Sequence, residues 1–195
     1  MALKYDDKLL CNIDVINLAN GLSKEFGSHS SNAMNPLTYL LLRLKILGIN
    51  IRVFHKSFKG EKIDGDISIV RILKNDYLIM INSDNSEKVV NFSLTNAIGR
   101  ILLENFDVYT PINYFVLEDR NRKNAFSEQV KIAYANLFAL FYLMPTGKFG
   151  KALIECNSNE DVAIRFNVPV GTIEARKYLY FALKGVCLNE FSKAK

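Results

Sequence analysis

The chain has 195 residues, 49% hydrophobic and 23% charged, which fits one globular domain or one domain with a small appendage and excludes a disordered or collagen-like chain. Its net charge is +5, from 25 basic and 20 acidic residues, with no long block of like charges, so nucleic-acid contact is permitted but not demanded. Three scattered cysteines, Cys11, Cys156 and Cys187, and two histidines, His29 and His55, leave zinc short of its usual ligands and point to core thiols in a reduced, cytoplasmic protein.

In chain order, residues 1–26 read as a short amphipathic helix, because Val15, Leu18, Ala19, Leu22 and Phe26 share one helical face. Such a face needs a groove. Two readings stand open: a fused partner peptide tethered to raise its effective concentration, or an ordinary first helix of the domain. The segment GSHSSNAM at 27–34 is small and polar, so 27–33 reads as a linker. It is either a remnant of tag cleavage ahead of a native start at Met34 or a natural Ser-rich loop.

From Met34 the pattern sharpens. Leu37, Leu40, Leu41, Leu44 and Leu47 recur at helical spacing after Asn35 and Pro36 and stop at Gly48, predicting a helix over 36–47. Four short runs rich in Ile, Val and Tyr follow, at 49–54, 67–73, 77–82 and 88–92, and predict a small antiparallel sheet. Helices are expected over 93–105 and 127–144, the second stopped by Pro145 and Gly147, with shorter helices to the end. The order is that of an α+β fold, with a core over 34–150 and a helical subdomain over 151–195. The longest apolar run, 137–144, is far below the roughly 18 residues of a membrane span. The charged start of the chain, with Lys4, Asp6, Asp7 and Lys8, is unlike a signal peptide, and no membrane partner is expected.

Three segments carry a resemblance. Phe92 followed by SLTNAIGRILL at 93–103 is similar to F-T-x-A-H-E-x-G-H-x-L-L; ANLFALFYLMP at 135–145 is similar to the end of E-x-x-A-N-x-F-A-x-x-L-L-M-P; and DVAIRFNVPVGTIEAR at 161–176 is similar to L-A-x-x-F-x-V-S-x-x-x-V-x-x-R. Together they resemble the ImmA/IrrE family of zinc metallopeptidases and extend over nearly all of 34–195. The resemblance implies a metallopeptidase-like core closed by a helix-turn-helix-like pair.

The chemistry of that family is absent from the matching positions. An H-E-x-x-H helix sets two imidazoles one turn apart to hold Zn²⁺, and its Glu takes a proton from the metal-bound water. Here the three places carry Asn96, Ala97 and Arg100, and the third ligand position, on the next motif helix, carries Ile132. An amide, a methyl group, a guanidinium and an aliphatic chain supply neither ligands nor a base. No metal or other cofactor is therefore expected, and the chain reads as a pseudo-peptidase rather than an enzyme. Arg100 needs a carboxylate, Glu104 or Glu128, or else an open cleft. Asn96 is expected to join the same network, and Ile132 to fill the volume of the missing ligand. Asn96, Arg100, Glu104 and Asn136 are then the candidates for binding a partner.

The tail offers a second class of function. A helix near 160–166, a turn at Asn167 and Val168, and a helix from Pro169 to about Lys184 have helix-turn-helix spacing. Thr172, Arg176 and Lys177 near the start of its second helix are the candidates for nucleic acid, though the set is thin for a reader of bases. Glycine-rich phosphate loops and Ser/His/Asp triads find no candidates in the required pattern. The first expectation is thus an inactive regulator that binds a protein or peptide segment, with residues 1–26 as one such ligand. What the resemblance implies is regulation in a phage, a mobile element, stress or sporulation. The alternative is a DNA-binding transcriptional regulator.

Overall fold

The computed structural model describes residues 13–29, 35–59, 67–105 and 120–184. Within them lie seven helices, α1 (Ile13–His29), α2 (Pro36–Ile46), α3 (Glu87–Asn105), α4 (Arg120–Leu143), α5 (Thr146–Glu155), α6 (Asn159–Phe166) and α7 (Gly171–Leu183). Three strands, β1 (Asn50–Lys56), β2 (Ile67–Leu73) and β3 (Asp76–Asn82), stand between α2 and α3 and complete an α+β fold.

The start of α2 follows from its first two residues. The Asn35 side-chain oxygen accepts a hydrogen bond from the Leu37 amide at 2.8 Å, and Pro36 sits at the first helical position, where it needs no donor. Leu37, Leu40 and Leu44 face the core. Gly48, at φ +78°, turns the chain out of the helix into β1, a conformation that a side chain would resist.

The sheet differs from the expected one in strand number and direction. Its order is β1-β3-β2; β2 and β3 pair antiparallel, but β1 pairs parallel to β3, with Asn50 opposite Asp76 and Lys56 opposite Asn82. The tight turn at Lys74 and Asn75 makes the β2–β3 hairpin, and β3 thereby comes between β1 and β2. Register puts Tyr77, Ile79 and Ile81 on the covered face, where they are buried, and α3 packs against β2 and β3. On the opposite face Phe54 and Val70 remain exposed.

The run 88–92, expected as a fourth strand, is the first part of α3. Val89 and Val90 favour strands locally, but Val90, Leu94, Ala97, Ile98 and Ile101 continue one helical stripe into the core, and that periodic burial outweighs the β-branched pair. The Val90 amide already donates to the Ser86 carbonyl at 3.0 Å. Helix α4 likewise begins earlier than expected, at Arg120.

Helices α3 and α4 form the centre of the core. Gly99 permits their close approach, since a Cβ built there would stand 2.6 Å from Cδ1 of the buried Phe138 ring. Helix α1 packs on α4 and α2, burying Val15, Ile16, Ala19 and Ser23, with Leu18 and Leu22 half-buried. Glu25 pairs with Arg43 at 3.1 Å, and the Phe26 and Tyr39 rings lie 5.5 Å apart. The helix runs on to His29, past the expected boundary at 27. Residues 1–12, 30–34 and 185–195, with Cys11, Cys187 and the rest of the expected linker, lie outside the described residues.

The expected boundary at 150/151 falls inside α5. Ser158 caps α6, its hydroxyl accepting from the Asp161 amide at 3.1 Å, and Asn167 leaves it in the left-handed region at φ 51°. Helix α7 follows Pro169 and is anchored to the rest of the fold through Arg176.

Candidate functional site

A cleft of about 330 Å³ opens between the β2–β3 hairpin and α3. Ile67, Ile69 and Arg71 line it from β2 and Tyr77 from β3, while Asn96, Arg100 and Glu104 line it from α3. The alternation of a strand places Ile67, Ile69 and Arg71 on the same side, and helical spacing does the same for Asn96, Arg100 and Glu104.

Each polar group in this cleft has a definable anchor. The Asn96 side-chain amide donates to the Asn136 side-chain oxygen at 2.6 Å, joining α3 to α4. Arg100 and Glu104 approach to 4.0 Å, both about one-third exposed, so the pair orients the guanidinium more than it stabilises the fold. Glu104 is thus the expected partner of Arg100; the side chain of Glu128, the other candidate, lies outside the described residues. Arg71 donates through Nε and Nη2 to the Lys74 carbonyl at 3.1 and 2.6 Å, and its guanidinium stands 5.7 Å from the Tyr77 ring.

Asn96, Arg100 and Glu104 therefore line one cleft, and Asn136 is joined to it through Asn96. Ala97 is fully buried and faces the core. Ile132 corrects an expectation: it is 48% exposed, one turn before the exposed Asn136 on α4, and so does not fill an internal volume. Among the described residues, no group of three or more His, Cys, Asp or Glu side chains is placed to hold a metal. His55 is exposed on β1. Sequence reading missed Arg71 and Tyr77; the signal available was a charged residue at the inward parity of an otherwise apolar strand.

The nucleic-acid candidates do not share one surface. Arg176 is fully buried: its Nε donates to the Met144 carbonyl at 3.0 Å, its Nη2 donates to the Thr146 hydroxyl at 3.2 Å, and its guanidinium lies 3.8 Å from the centre of the Phe141 ring. Its expected place at a DNA surface is corrected by this burial, since a guanidinium enclosed by Phe141 and Phe149 does not reach a phosphate. Burial also lowers its pKa to about 9. Lys177 lies 3.5 Å from Glu174, and the Thr172 hydroxyl donates to the Pro169 carbonyl at 2.7 Å, so both side chains have local work at the start of α7.

No family model and no curated protein matches the chain. Its fold is similar to a solved structure described as a Mycobacterium tuberculosis transcriptional regulator, with a TM-score of 0.59 and 16% identity over 86% of this chain. The chain spans about half the length of that protein, 47%. At this identity the likeness extends to the fold alone. No helix among the described residues is long and apolar enough to cross a membrane.

Proposed function

We propose that this chain is a non-catalytic, ImmA/IrrE-like regulatory module that captures an acidic, partly apolar segment of a protein partner in the cleft between β2 and α3. The observation that carries this reading is the convergence of Arg71 and Arg100 above Ile67 and Ile69, beside a strand that ends the sheet. An extended segment pairing along the outer edge of β2, which no described strand covers, would gain main-chain hydrogen bonds, and the two guanidiniums would select carboxylates on it. Peptide hydrolysis is not part of the reading, because Asn96, Ala97, Arg100 and Ile132 stand where the family resemblance places ligands and base. The fold's likeness to a transcriptional regulator supports a regulatory role.

The test is selection from a library of acidic peptides, followed by anisotropy with Arg71→Glu and Arg100→Glu. Affinity should fall by about tenfold or more in each variant, the effect of reversing a charge-assisted contact. Unchanged affinity in folded variants would place capture elsewhere and sink the reading.

DNA contact through α6 and α7 is the second reading, favoured by their helix-turn-helix spacing. With Arg176 buried it rests on Thr172 and Lys177, and a low-salt gel shift that is abolished by Lys177→Glu would support it.

A further inference from the structure

A second cavity, of about 380 Å³, shares no lining residue with the cleft above. It lies where the ends of several helices meet: Phe26 near the end of α1, Asn35 and Pro36 at the start of α2, Tyr142 at the end of α4, and Phe166 at the end of α6. Lys148 and Lys151 of α5 and Arg165 of α6 line it, and among the described residues no Asp or Glu does. A cavity of this size, in which Lys148, Lys151 and Arg165 stand beside Phe26, Tyr142 and Phe166, offers a small molecule both a charged edge and a ring surface.

Its charges are unevenly satisfied. Arg165 is paired with Glu155, which lies outside the lining. Lys148 and Lys151 form no ion pair or hydrogen bond among the described residues, although their spacing puts two like charges on one side of α5. An anion between them would remove that repulsion. Lys148 also stands in the first turn of α5, where the helix dipole adds to the positive field.

The walls are already held in place. The Tyr142 hydroxyl donates to the Pro36 carbonyl at 2.7 Å, the Asn91 amide donates to the Asn167 carbonyl at 2.8 Å, and the Phe166 ring is braced 6.1 Å from Phe149. A ligand therefore meets a formed aromatic surface from Phe26, Tyr142 and Phe166 beside a cationic edge. We infer that this cavity binds a small organic phosphate: the phosphate sits between Lys148 and Lys151, and an aromatic body lies against Phe26, Tyr142 and Phe166. Two ammonium groups match a phosphate dianion in charge, and the aromatic wall matches a ring of nucleobase type.

Calorimetric titration of the full chain with AMP tests this, with inorganic phosphate and adenosine as separate arms. AMP should bind saturably and more tightly than either fragment, with affinity falling as salt rises. The exposed double variant Lys148→Glu, Lys151→Glu, checked for folding by circular dichroism, should weaken AMP by about tenfold or more. Phe26→Ala should bring AMP close to inorganic phosphate. The inference is overturned if neither AMP nor phenyl phosphate binds up to millimolar concentration, if the double variant binds AMP as well as the parent, or if phosphate alone binds as tightly as AMP.

Discussion

Asn96 on α3 and Asn136 on α4 share a hydrogen bond of 2.6 Å at the rim of the cleft, between the two helices that form the centre of the core. On the proposed reading, this amide pair ties together the helices that a metal joins in active members of the resembled family. Asn136 is exposed, so water competes for both groups and the bond's net contribution is modest. A double-mutant cycle with Asn96→Ala and Asn136→Ala should show a coupling of about 0.5–1.5 kcal/mol in urea unfolding. Strict additivity would mean that the bond does not hold the helices together in solution.

Arg176 is a buried cation supported by the Met144 carbonyl at the end of α4 and by the Phe141 and Phe149 rings. Its Nη1 has no hydrogen-bond partner among the described residues. Arg176→Ala should destabilise by about 2–4 kcal/mol, through lost hydrogen bonds and the cavity left among aromatic rings. Arg176→Met should cost less, because it fills much of the volume and removes a desolvated charge. Chemical denaturation of both variants checks the order; a parental midpoint for the alanine variant would contradict the staple role.

Tyr142 donates its hydroxyl to the Pro36 carbonyl, and burial pushes its pKa well above the ordinary tyrosine value. Above about pH 10 the unfolded chain loses this proton while the folded chain keeps it, so the contribution is present below that pH and declines above it. Tyr142→Phe should cost about 1 kcal/mol at pH 7. The difference between parent and variant should shrink as pH rises past 10, read by urea unfolding at several pH values. A constant difference would show that the hydroxyl is not buried as described.

Helix α1 buries Val15, Ile16 and Ala19 against α4 and α2. A chain beginning at Met34 should lose roughly several kcal/mol from these side chains, at about 1.5–3 kcal/mol for each large one. A synthetic peptide of residues 13–29 added to it should raise its melting temperature as ligand binding does. Both outcomes together would fit a tethered ligand or a first helix equally in energy, whereas an unchanged melting temperature on truncation would make α1 incidental.

Most of the helices were legible because a period of three and four residues is visible in one chain: α2 with Asn35, Pro36 and Gly48 was complete in its sequence signals. The same is true of the α6–α7 pair, where Asn167 and Pro169 punctuate two short apolar periods. The start of α3 was not legible, because Val89 and Val90 satisfy a strand pattern as well as a helical one until the burial of Leu94, Ala97 and Ile98 selects the helix.

By itself the sequence determined the α+β class, the helix boundaries marked by capping residues, and the shared helical face of Asn96, Arg100 and Glu104, since these rest on local periodicity and on spacing within helices. Only the tertiary structure decided that β1 runs parallel to β3, that Arg176 is a core residue, that Ile132 is exposed, and that Lys148 and Lys151 share a cavity with Phe26. Those facts depend on which distant segment packs against each side chain. A charged residue reads the same in sequence whether its neighbours are water or aromatic rings.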